Sequence, residues 1–92
     1  MAGEHEGIRP YLIGPTTYRE FYAKWLGDEN GLLPGWAEPK LTEGEARIRA
    51  RMEPGDELWE WHNPGRGPFS QTWGLAIVRG GEIVWSECHM RS

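Results

Sequence analysis

Cysteine is nearly absent: Cys88 stands alone, so no internal disulfide can form and a disulfide framework is excluded as the source of stability. No stretch approaches the roughly 20 apolar residues that a membrane-spanning helix requires. Residues 1–7 carry Glu4, His5 and Glu6 in place of a basic segment and an apolar core, so no secretory signal is expected and a cytoplasmic, reducing setting follows. Positive charge is also in deficit. Ten Lys and Arg against 14 Asp and Glu leave a net charge of −4, which disfavours bulk attraction to nucleic acid or anionic membranes. The same balance suits contact with a basic protein surface.

What the chain has instead is aromatic mass. Six Trp, three Tyr and two Phe occur in 92 residues. Such a length makes one small domain. A domain of this size buries only roughly 60–65% of its unfolded surface. Each aromatic ring can bury about 150–250 Å², so a few of them supply much of a thin core.

Residues 1–15 show no sustained period and read as a loosely ordered N-terminal arm, with Tyr11, Leu12 and Ile13 available to anchor it. The first clear element is a helix over 18–26. Thr17 and Glu20 form a capping box before it, and Tyr18, Phe21, Tyr22, Trp25 and Leu26 make one apolar stripe. Gly27 comes next as a left-handed stop. Residues 28–40 turn to Gly, Pro, Asn and Asp, and Trp36 is expected to pin that loop across the core. Residues 41–52 carry two periods at once. Thr42 and Glu45 make a second capping box, and Glu43–Arg47 and Glu45–Arg49 are i,i+4 pairs. Yet Ala46, Ile48, Ala50 and Met52 alternate with arginines as in a strand. The cap and the alanines favour helix.

After the turn at Pro54-Gly55-Asp56, residues 57–62 alternate as a strand with Trp59 and Trp61 on one face. Residues 73–79 and 82–90 form a hairpin about Gly80-Gly81, a pair suited to positive φ at both turn positions. A two-residue turn sets the register. Arg79 faces Glu82, Val78 faces Ile83, Ile77 faces Val84, Ala76 faces Trp85 and Leu75 faces Ser86. One face then holds Trp73, Leu75, Ile77, Val84, Cys88 and Met90, and is assigned to the core. The other gathers Val78, Ile83, Trp85, Glu87 and His89. That second face is expected to meet solvent, the N-terminal arm or a partner.

Catalytic and metal chemistry is sparse. His5, His62, Cys88 and His89 are too few and too scattered for a metal site, and neighbouring Cys88 and His89 point to opposite faces of a regular strand. The same geometry disfavours a Cys–His nucleophile, and Cys88 reads as a small buried apolar residue. Glu57 and Glu60 read as solvated carboxylates on an edge strand. The loop over 63–68 is Gly-rich but lacks the Lys-Ser/Thr of a phosphate-binding loop, leaving Arg66 as a contact at its tip. Arg47, Arg49 and Arg51 are the one basic cluster, a minor candidate for nucleic acid or another ligand.

The run Gly55-Asp56-Glu57-Leu58-Trp59-Glu60, followed by Trp73-Gly74-Leu75-Ala76-Ile77-Val78-Arg79-Gly80-Gly81-Glu82-Ile83-Val84, resembles a pattern in small uncharacterised bacterial proteins. Those proteins carry a G-D-E-L-W-E strand and then a G-x-A-x-V-R-x-G hairpin. The resemblance covers about the last forty residues and implies a shared sheet unit but no activity. The expected fold is α+β, with two helices packed on one face of a three-stranded antiparallel meander. The expected function is a non-enzymatic protein-binding module without cofactor. An inhibitor of a larger complex, such as a phage-encoded anti-CRISPR protein, would fit that format, and a homodimeric domain is the alternative. Val78, Ile83, Trp85, Glu87 and Arg66 are the expected partner-binding residues.

Overall fold

The computed structural model describes residues 6–27, 33–67 and 70–91. The chain divides into two compact units, one made of Met1–Pro15 with Pro54–Ser92 and the other of Thr16–Glu53. The loop over 28–32, His5 and Pro68 lie outside the described residues.

The Thr16–Glu53 unit holds two helices. Helix α1, Tyr18–Leu26, starts where its capping box predicts: extended Thr17 accepts the Glu20 N–H on its hydroxyl at 3.1 Å. Its end differs from expectation. Gly27 has a φ of −71°, so the helix closes without a left-handed glycine, and the Gly27 N–H donates to the Ala23 carbonyl at 3.0 Å. Helix α2, Glu38–Arg49, settles the double period over 41–52 in favour of helix. It begins a turn before Thr42. A 3-10 turn, Gly35–Ala37, leads directly into it, and Pro39 fits the first turn because a missing N–H costs nothing there. Leu41, Gly44 and Ile48 form the buried stripe of α2.

The other unit is a sheet of four strands, where three were expected. Strands β1 (Leu12–Pro15), β2 (Glu57–Asn63), β3 (Thr72–Arg79) and β4 (Glu82–Arg91) lie side by side in chain order, all antiparallel. The extra strand comes from the arm. Leu12 pairs with Trp61 and Gly14 with Glu60, leaving Ile13 as a bulge residue 57% exposed. Four residues containing a glycine and a proline carry no alternation to read, which is why this strand has no signature. Because β1 covers the outer side of β2, Glu60 is buried and not on an edge.

The hairpin register is right only next to its turn. Gly80 and Gly81 have φ of 57° and 85°, as the turn requires. Arg79 pairs with Glu82 and Val78 with Ile83, but Ile77 then pairs with Trp85, Ala76 with Ser86 and Leu75 with Glu87. Val84 is the extra residue of a bulge. One inserted residue moves the rest of the strand to the opposite face. Trp85 therefore shares a face with Leu75 and Ile77, not with Val78 and Ile83. Cys88, opposite Gly74, is exposed and not a core residue. A second bulge separates the pairs Gly74–Cys88 and Trp73–Met90.

Both faces of β3 are buried: Leu75 and Ile77 on one, Ala76 and Val78 on the other. Ala76, Val78, Ile83 and Trp61 form one cluster, and Ile8, Tyr11, Leu12 and Trp59 pack against it. Arg9, in the 3-10 turn Glu6–Tyr11, donates to the Gly81 carbonyl at 3.1 Å and ties the arm to the hairpin. Asp56, its side chain fully buried, accepts a two-pronged contact from Arg79 at 2.8 and 2.9 Å. Among the described residues no helix is long and apolar enough to cross a membrane.

The tightest approach in the sheet is at Gly74. The Trp61 indole lies over this glycine and donates its N–H to the Leu75 carbonyl at 3.2 Å. A Cβ at position 74 would run into the Glu87 carbonyl and the Trp61 ring together. Backbone on one side leaves no room to relax. Gly74→Ala is expected to lower stability by about 1–3 kcal/mol, the usual cost of overpacking. Urea denaturation reads this, and an unchanged midpoint would contradict the packing described.

Candidate functional site

The residues expected to bind a partner are not assembled as a patch. Val78 and Ile83 do meet, but at 7% and 3% exposure they lie in the cluster closed by Ile8, Tyr11 and Leu12. Trp85 is half-buried on the opposite face. Glu87 lies on that face too, with one carboxylate oxygen 3.0 Å from His89 Nε2. Arg66 is exposed in a loop whose shape comes from Ser70 and Asn63. The Ser70 hydroxyl accepts the N–H groups of Arg66 and Gly67, both at 2.9 Å, and Asn63 accepts that of Gly65 at 2.9 Å. Arg47 and Arg49 fall in the last turn of α2 with Arg51 just beyond, all exposed.

Among the described residues, no three of His, Cys, Asp or Glu converge in a group able to hold a metal. His62 stacks flat on Trp73, with ring centroids 4.7 Å apart, and meets Gln71 Oε1 at 3.0 Å.

A concave aromatic surface does exist, in the helical unit. Tyr18 and Tyr22 of α1, Trp36 and Ala37 of the 3-10 turn, and Lys40 and Leu41 of α2 line a cleft of about 180 Å³. Trp36 is 65% exposed at its rim, although its residue type suggested a place in the core. The 3-10 turn explains the difference: Ala37 turns inward at 2% exposure and its neighbour faces out.

Arg19 joins the two helices that carry most of this lining. Its Nε donates to Glu45 at 2.8 Å, its two terminal nitrogens to Glu38 at 2.8 and 2.7 Å, and one of these also to Thr42 at 3.2 Å. Glu38, Thr42 and Glu45 sit at i, i+4 and i+7, one face of α2. Thr42 and Glu45, which read as a capping box, thus serve a contact between helices. The Tyr18 phenol occupies the space a side chain at Gly44 would need, and it lies 4.8 Å from the Tyr22 ring. Tyr22 meets buried Phe21 edge-on at 5.3 Å. Hydrogen bonding to Glu38, then to Glu45, raises the Arg19 pKa against the opposing effect of desolvation. In return, the hydrogen bond from Arg19 holds Glu38 below its ordinary value of 4.5.

No family model matches the chain, and no solved structure does. A curated protein is similar to it. The adenosylcobalamin-dependent ribonucleoside-triphosphate reductase of Lactobacillus acidophilus is 30% identical over 89 residues. That match takes in 89% of this chain but 12% of the reductase, so the chain spans a small part of that relative's length.

Trp36 carried no periodic signal, because it precedes a helix in a stretch dominated by Gly and Pro. The one readable clue was Pro39, which marks a helix's first turn and so puts Trp36 just outside it.

The Arg19–Glu38 contact predicts a pH dependence. The Glu38 pKa is lowered on folding, so its stabilising contribution is complete above 4.5, the ordinary value, and is lost as pH falls through the folded value. Glu38→Gln is therefore expected to be less stable than wild type at neutral pH, with the gap closing in acid. Denaturation midpoints across that range test this. A gap independent of pH would contradict it.

Proposed function

We propose that the chain is a small, non-enzymatic protein-binding module whose contact surface centres on Trp36. The observation that carries this reading is a tryptophan 65% exposed at the rim of an aromatic cleft. Trp and Tyr are enriched among the residues that dominate binding energy, and they favour well-packed concave sites. An exposed thiol at Cys88 is compatible with a reducing, cytoplasmic setting. An inhibitor of a larger complex, such as an anti-CRISPR protein, is the format that a small acidic binding module suits best.

The similarity to one segment of a ribonucleoside-triphosphate reductase favours a second reading, in which the module takes a ribonucleoside triphosphate. Thermal denaturation with and without ATP, CTP, GTP and UTP separates the two, since a ligand of the native state raises the midpoint. No shift is expected.

For the main reading, Trp36→Ala is expected to keep the midpoint of the wild-type protein. It should lose a host partner captured by the tagged wild type, with affinity lowered by about 2 kcal/mol or more, roughly thirtyfold. Full capture by a folded Trp36→Ala variant would sink the assignment.

A further inference from the structure

We infer that the cleft takes an aromatic side chain of a partner protein, presented beside an acidic residue that meets Lys40. This rests on the reading of Trp36 as the contact surface and specifies what that surface accepts.

Size sets the first half of the inference. A cavity of about 150 Å³ accommodates a benzene ring, and the cleft measures about 180 Å³. It has room for one ring and not for a folded element. Its walls suit a ring as well: the Tyr18, Tyr22 and Trp36 rings offer faces and edges for stacked or edge-on contact, and Leu41 adds apolar surface. The Tyr18 ring is seated against Gly44 and the Tyr22 ring lies 4.8 Å from it, so these two walls need little ordering on binding.

Charge sets the second half. Three aromatic rings around one concavity attract a cation through their faces, and in isolation they would suggest a lysine, arginine or quaternary ammonium as occupant. Lys40 decides against it. Lys40 lines the same cleft, and its positive charge disfavours a cation there. The nearby carboxylates of Glu38 and Glu45 are engaged by Arg19. Lys40 is exposed and lines the cleft, so its charge favours a carboxylate beside whatever enters. An acidic residue next to the buried ring satisfies both features.

Selection of displayed short random peptides on the full chain tests this. Peptides enriched on the wild type are expected to carry Phe, Tyr or Trp next to Asp or Glu. Selection on Lys40→Glu should exchange the acidic neighbour for Lys or Arg while keeping the aromatic residue. In titrations followed by NMR, a wild-type peptide should move the Trp36 indole signal. It should bind Lys40→Glu about two- to fivefold more weakly, the size of an exposed ion pair. No enrichment, enrichment without an aromatic residue, or an acidic preference that survives Lys40→Glu would each overturn the inference. Those failures leave the Trp36 surface standing if Trp36→Ala still abolishes capture of the partner. If Trp36→Ala retains capture, the surface itself is wrong.

Discussion

The Arg19 guanidinium is the constraint on which the helical unit depends. One planar fork from α1 reaches Glu38, Thr42 and Glu45, three side chains on a single face of α2. A planar, five-donor group can hold three acceptors at once, and a lysine ammonium cannot reproduce that fork. The fork fixes α1 against α2 in azimuth, and Gly44 fixes their closeness by giving the Tyr18 ring the space of a missing Cβ. Those two contacts set the tyrosine-bearing helix α1 against the helix that carries Lys40 and Leu41. The cleft is thus built by polar contacts on one side and a missing side chain on the other.

The energetic weight of the fork is modest on general grounds, because Arg19 and Glu38 are both substantially solvent-exposed. Its importance is geometric. Most stability in the helical unit comes from apolar burial by Phe21, Ala37, Leu41 and Ile48. Apolar burial is non-directional, whereas a two-pronged contact selects one rotation of a helix over its neighbours. The same division holds in the sheet unit. There the Val78–Ile83–Trp61 cluster supplies burial, while Trp61 over Gly74 and Arg79 on Asp56 fix the register.

Legibility in the sequence followed the length and regularity of each signal. Helix α1 was readable in its start and extent because a side-chain cap and an apolar stripe agree, although Gly27 closes it without the left-handed turn. The hairpin turn was readable because two glycines leave few alternatives. Bulges are different: Val84 looks like its neighbours, and nothing in its type announces that the ladder slips there. That one slip removed Trp85 from the side of Val78 and Ile83 and took Cys88 out of the core. The fourth strand was hidden for a related reason, since a four-residue pairing needs only backbone groups and a sheet edge. The aromatic cleft was the least legible feature. Its lining comes from Tyr18, Tyr22, Trp36 and Lys40, which share no common spacing in the chain and meet only once the helices have packed.

Two surfaces therefore compete for a functional role: the tryptophan-bearing sheet face suggested by the hairpin and the cleft at Trp36. The first is divided between faces, with Val78 and Ile83 packed against Ile8, Tyr11 and Leu12 and Trp85 on the opposite side, whereas exposure of Trp36 supports the second. Amide hydrogen exchange of the chain, free and bound to its captured partner, distinguishes them most directly. New protection should fall on Trp36 to Leu41 and on the Tyr18–Tyr22 stretch of α1, with β3 and β4 unchanged. Protection confined to β3 and β4 would contradict a binding surface centred on Trp36.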